Sequence, residues 1–133
     1  MAPVADSPVS VLIVDDQAPF RRAAAGVVRV TGGFQVAGEA GSGEEAVEMA
    51  VALAPQLVLM DTDMGRISGI EASRRITAST PDVVVVLLST YQATDLPADA
   101  ATSGALAYLN QEDFGPQVFQ DVRSGRLSHP GTP

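Results

Sequence analysis

Two short apolar runs end abruptly in carboxylates. Val9-Ser10-Val11-Leu12-Ile13-Val14 leads straight into Asp15-Asp16, and Leu57-Val58-Leu59-Met60 leads straight into Asp61. A short apolar run without polar alternation is the pattern of a strand covered on both faces, and such strands lie side by side in parallel sheets. Ligands of parallel α/β sheets bind beyond the carboxyl ends of the strands. The two runs therefore predict three carboxylates converging at one rim. Negative charge at that density calls for a cation, and hard oxygen ligands suit Mg²⁺.

Strand and helix signals alternate along the rest of the chain. Pro19 suits the first turn of a helix. Phe20, Ala24, Val27 and Val28 follow at helical spacing, and Gly32-Gly33 stops them. Phe34-Gln35-Val36-Ala37 reads as a second strand. Ser42-Gly43-Glu44-Glu45 is a capping box, and Ala46, Val47, Ala50, Val51 and Ala54 are the expected buried face of the helix it starts, which Pro55 ends. After the third strand and a polar loop, Ser68-Gly69-Ile70-Glu71 is a second capping box, opening a helix to about Ser79. Val83 to Leu88 is the strongest strand signal and reads as central. A short helix is expected between Asp95 and Ser103, a fifth strand over Ala105 to Leu109, and a last helix over Pro116 to Ser124 with Gly125 past its end. The order is (βα)₅, an α/β doubly wound five-stranded parallel sheet with helices on both faces.

At 133 residues, 46% of them hydrophobic, the chain has enough apolar material for one core. Its expected organisation is a flexible start over residues 1–8, a domain over 9–127 and a disordered tail over 128–133. A formal net charge of −8 argues against a nucleic-acid surface, which rests on basic patches. There is no cysteine, hence no disulfide framework and no thiolate metal site. No apolar run reaches the roughly 18 residues of a membrane span. Met1-Ala2-Pro3-Val4-Ala5-Asp6 lacks the regions of a signal peptide, so a cytoplasmic location is the default. His129 has no acids at ligand spacing and is assigned no role.

Taken together, the strand ends form an ordered set. The first gives Asp15 and Asp16, the third Asp61, the fourth Ser89, and the fifth Tyr108 followed by Asn110-Gln111. Asp61-Thr62-Asp63-Met64-Gly65 followed by Gly69, then Leu88-Ser89-Thr90-Tyr91, then Gly104-Ala105-Leu106-Ala107-Tyr108-Leu109, complete the pattern. It resembles the receiver domain of two-component response regulators, a flavodoxin-like fold, over about Val9 to Ser124. The texture is most similar to receivers that carry a helix-turn-helix output domain, and the chain stops before any such domain.

The resemblance implies a mechanism. Asp61 would take a phosphoryl group from a sensor histidine kinase, a phosphotransfer protein or a small phosphodonor. Asp16 and Asp61 would bind Mg²⁺ with the backbone carbonyl of Asp63, and Asp15 would act directly or through a metal-bound water. Ser89 would hydrogen-bond the phosphoryl group, and Thr90 would line access to it. Tyr108 would swing into space that Ser89 vacates. The output would be contact with a downstream protein or output domain through the surface of the 95–103 helix, the fifth strand and the last helix. That implies transcription regulation if an output domain has been removed, with no direct nucleic-acid or membrane binding by this domain. A homodimer stays open.

Receivers usually carry a lysine three residues beyond the switch aromatic. Here that position is Gln111, and all eight basic residues are arginine. Glutamine keeps a donor but loses the charge. A hydrogen bond to a charged group is worth about 1.5–3 kcal/mol against about 1 for a neutral one. No arginine is an obvious substitute for that lysine; Arg66, in the loop after Asp61, is the candidate that would reach in. Without compensation, a raised pKa is expected within the Asp15, Asp16 and Asp61 group in the absence of metal. Gly65 stands where receivers often have proline, which makes that loop more mobile.

The changed position motivates a second reading, a pseudo-receiver binding module whose switching no longer depends on phosphorylation. A third, a metal-dependent phosphatase, draws on the Asp61-x-Asp63 pair. It needs a lysine and a second acidic cluster, which Asp95 and Asp99 are poorly placed to supply. The first reading expects a regulatory domain rather than an enzyme acting on a separate substrate.

Overall fold

The computed structural model describes residues 8–62, 67–89, 104–105, 107–110 and 114–124. Along the chain the elements are β1 (Val9–Val14), α1 (Ala18–Val30), β2 (Phe34–Ala40), α2 (Gly43–Leu53), β3 (Leu57–Asp61), α3 (Gly69–Ser79), β4 (Val84–Ser89), β5 (Ala107–Asn110) and α4 (Pro116–Ser124). The five strands form one parallel sheet in the order β2-β1-β3-β4-β5. The expected helix between Asp95 and Ser103, most of the 1–8 start and the 128–133 tail lie outside the described residues.

Successive side chains of a strand point to opposite faces, and this alternation sorts the core into two layers. Leu12 and Val14, Val58 and Met60, and Val85 and Leu87 join Ala46 and Ala50 of α2 and Ile70, Ala72 and Ile76 of α3. Val11 and Ile13, Leu57 and Leu59, and Val86 and Leu88 join Ala24, Ala25 and Val28 of α1 and Phe119 of α4. All five residues of β3 are buried, as expected of a strand covered on both sides. The chain steps from β1 outward to β2 and then back across β1 to β3. A constant hand of crossover puts α1 on one face and α2 and α3 on the other. Among the described residues no helix is long and apolar enough to cross a membrane.

All four phenylalanines lie in the second layer. Phe34 of β2 meets Phe119 of α4 at 5.0 Å between ring centroids, Phe119 meets Phe114 edge-on at 5.7 Å, and Phe114 meets Phe20 of α1 at 6.0 Å. Tilted and edge-on rings at these separations are favourable beyond their buried area. The series ties the last helix to the first.

Both predicted N-caps are present. Ser42 Oγ accepts the Glu45 N–H and Ser68 Oγ accepts the Glu71 N–H, each at 3.1 Å. The return bonds of the capping boxes differ from expectation. Glu45 Oε1 accepts from the Gly41 N–H at 2.7 Å, one residue before the cap. The Glu71 carboxylate instead bonds Arg75 and Arg74, one turn onward. The hydrogen bond from Arg75 acts most strongly on the Glu71 carboxyl; desolvation opposes it, and with the added bond and charge of Arg74 the group is held below the usual carboxylate range.

Other differences have equally local causes. β2 continues to Ala40 rather than stopping at Ala37, because its pairing with β1 resumes after a bulge that shifts the register between Val11 and Leu12. Val51 is 65% exposed instead of lying on the buried face of α2. The stripe is centred on Gly43, Ala46 and Ala50, and at ~100° per residue Val51 falls about a quarter-turn off it. Ala54, also expected on that face, is exposed and sits past the helix end with φ 48°. Pro55 disfavours the right-handed helical region for Ala54, which takes the left-handed one at a cost of about 1–2 kcal/mol.

Phe119 is fully buried at the centre of the aromatic series. Phe119→Ala is expected to lower unfolding stability by about 3–5 kcal/mol, read from the urea midpoint. An unchanged midpoint would mean that α4 is not part of the cooperative core.

Candidate phosphoacceptor site

β1 and β3 pair in register, with Val14 opposite Met60. The residues that follow each are therefore brought abreast at the carboxyl rim. One carboxylate oxygen from each of Asp15, Asp16 and Asp61 lies within 4.8 Å of the other two. Asp15 is 1% exposed and Asp61 8%, while Asp16 is exposed. Among the described residues no other three His, Cys, Asp or Glu side chains gather in this way.

Asp15 is held at three points. Its N–H donates to Ala40 O at 3.1 Å, extending the β1 and β2 ladder by one residue. Its Oδ1 accepts the Gln17 N–H at 2.8 Å. Its carbonyl accepts from Arg21 Nη1 at 2.7 Å. Arg21 Nε lies 3.4 Å from Glu39 Oε1 on β2. The N-cap of α1 is Gln17, without a side-chain bond. Asp16 is therefore not spent on capping that helix.

Asp61 is fixed through its neighbours. The Thr62 N–H donates to Leu88 O, and the Gly69 N–H donates to Thr62 O, both at 3.0 Å. A Cβ on Gly69 would lie 1.7 Å from Asp61 O, so the first turn of α3 seats directly on the backbone that carries Asp61. Thr62 is buried, and its Oγ1 has no hydrogen-bond partner among the described residues.

The remaining expected residues are placed only in part. Ser89 closes β4 at the same rim, one residue beyond the Asp61 and Leu88 pair, and Tyr108 pairs with Leu87 through β5. The side chains of Ser89 and Tyr108 lie outside the description. So do Asp63, Thr90, Gln111 and Arg66. Sequence reasoning weighed Arg66 as a nearby cation and missed Arg21. The available signal was position: Arg21 lies one helical turn past Gln17, close to the acid pair, on a side chain long enough to turn back.

Residues 11–118 match the response regulator receiver domain family, and the chain belongs to that family. It is 37% identical over 116 residues to the response regulator UvrY of Escherichia coli O6:H1, covering 87% of this chain and 53% of that protein. It is 41% identical over 125 residues to protein-glutamate methylesterase/protein-glutamine glutaminase 4 of Myxococcus xanthus, covering 92% of this chain and 35% of that protein. The chain thus spans about half or less of the length of these relatives. The signal receiver domain of the response regulator NarL from Mycobacterium tuberculosis superposes with a TM-score of 0.81 at 25% identity, covering 90% of this chain and 99% of that one. The chain is a receiver domain of the phosphorylation-based signalling proteins.

Three clustered carboxylate oxygens, two from buried side chains, are a donor set that suits a hard divalent cation of the Mg²⁺ kind. Gly69→Ala forces backbone against backbone and displaces Asp61. It is expected to weaken Mg²⁺ binding at least tenfold in an amide-shift titration, with a measurable loss of stability as well. Wild-type affinity in that variant would show that the seat of α3 does not position the site.

Proposed function

We propose that this receiver domain, over residues 9–127, accepts a phosphoryl group on Asp61. The convergence of the Asp15, Asp16 and Asp61 carboxylates at the ends of β1 and β3 carries the reading. An Asp61 carboxylate oxygen attacks phosphorus and forms an acyl phosphate. The donor's bond to phosphorus breaks, P–N in a phosphohistidine or P–O in a small phosphodonor, and the donor leaves with the electron pair. Asp16 and Asp61 with the Asp63 carbonyl would hold Mg²⁺, and Asp15 would bind it directly or through water. The ion, when bound, neutralises charge on the transferring oxygens.

Ser89 donates to a phosphoryl oxygen, Thr90 lines the approach and Gln111 offers a neutral donor where receivers use lysine. Tyr108 moves as Ser89 does. This changes the surface formed by β5, α4 and the residues before β5. The donor is a sensor histidine kinase or phosphotransfer protein, and the reader is a downstream protein or output domain in the cytoplasm. The domain is a regulator that accepts phosphate, not an enzyme for a separate substrate.

Incubation with Mg²⁺ and acetyl phosphate is expected to add the mass of one phosphoryl group to the intact chain, labile to hydroxylamine. Asp61→Asn is expected to abolish the gain. No gain in the wild type, or a gain that survives the substitution, would overturn the assignment.

A further inference from the structure

The Arg21 guanidinium joins two separate parts of the rim. Nη1 donates to the carbonyl of Asp15 at 2.7 Å, and Nε pairs with Glu39 Oε1 at 3.4 Å. Both side chains are half-buried, with 22% and 32% of the side-chain surface exposed. Glu39 sits one residue before Ala40, whose carbonyl accepts the Asp15 N–H. The backbone of Asp15 is thus gripped on its amide side by the end of β2 and on its carbonyl side by a guanidinium that the same strand holds in place. The carbonyl of Asp15 belongs to the peptide that leads into Asp16. Fixing it fixes the direction in which the chain delivers both acids.

We propose that Arg21, held by Glu39, is a positioning residue for the acid cluster, setting the Asp15-Asp16 peptide so that three carboxylates are preorganised for a divalent cation. The inference rests on the cation-binding reading of the cluster given above. Geometry and charge make opposite forecasts, which separates this role from simple electrostatics. Deleting a positive group beside carboxylates strengthens cation binding by Coulomb's law. Deleting a clamp weakens it, because the acids must then be ordered at the moment of binding. Arginine suits the task because its planar fork bonds two acceptors in fixed directions, whereas lysine is a point charge on a flexible stem. Glu39 acts only through Arg21 in this scheme, so the two residues form one unit.

The test uses the full chain as Arg21→Ala, Arg21→Lys, Glu39→Gln and the double variant Arg21→Ala/Glu39→Gln, each first checked for a native-like cooperative melt. Mg²⁺ affinity is read from amide-shift titration. The expectation is a loss of about tenfold for Arg21→Ala, a smaller loss for Arg21→Lys, a loss in the same direction for Glu39→Gln, and a double variant no weaker than Arg21→Ala alone. In the metal-free protein, amide exchange at Asp15 and Gln17, whose N–H groups bond Ala40 O and Asp15 Oδ1, is expected to speed up while exchange at Val58 and Leu59 stays unchanged. Unchanged or tighter Mg²⁺ binding in Arg21→Ala, opposite effects of the two single substitutions, or additive losses in the double variant would overturn the clamp. A wild-type protein that fails to bind Mg²⁺ would overturn the functional reading instead, and the metal-free exchange result would still decide whether Arg21 orders the Asp15-Asp16 backbone.

Discussion

A parallel pair, buried along the whole stretch where Val11–Val14 meets Leu57–Met60, controls this molecule. β1 and β3 are covered on both faces, and their side-chain sets interleave with helices on each side. A slip of one residue in either strand would send apolar groups to the wrong layer. The register is thereby fixed, and with it the meeting of acids far apart in sequence. The site has no local origin. Asp15 and Asp61 come together only because Leu12 to Val14 and Val58 to Met60 pack as neighbours in the sheet.

Much of this is legible in the sequence because burial on two faces leaves a plain signal. β3 begins at Leu57 and ends at Asp61 as the apolar run suggests, and α4 spans Pro116–Ser124 as its proline and glycine boundaries suggest. The signal fails where a polar residue has a partner that sequence distance conceals. The second half of β2 reads Gly38-Glu39, a poor strand by composition, yet it pairs with β1 past a bulge. Glu71 reads as the partner of its own N-cap, yet two arginines one turn onward compete for it and win. The clamp on Asp15 was illegible for a related reason. Eight arginines are equivalent on paper, and only the fold selects the one that reaches back to the rim.

The absence of lysine changes how charge can be handled near the acids. An ammonium group can drift among several oxygens, but a guanidinium is committed to a direction. Arg21 spends its fork on a main-chain carbonyl and on Glu39. It serves as a strut between β2 and the first acid pair. On the proposed reading, with Gln111 at the usual lysine position, phosphoryl transfer would rely more heavily on geometry already in place before any cation arrives.

The Gly69 N–H donates to Thr62 O at 3.0 Å, so the end of β3 and the start of α3 are tied to each other by a main-chain bond. Gly69 also abuts Asp61 O, so no side chain fits at that junction. Lengthening a closed loop raises its entropic cost only logarithmically. A change in the length of the segment between β3 and α3 is therefore expected to leave the end of β3, and the acid it carries, where it stands.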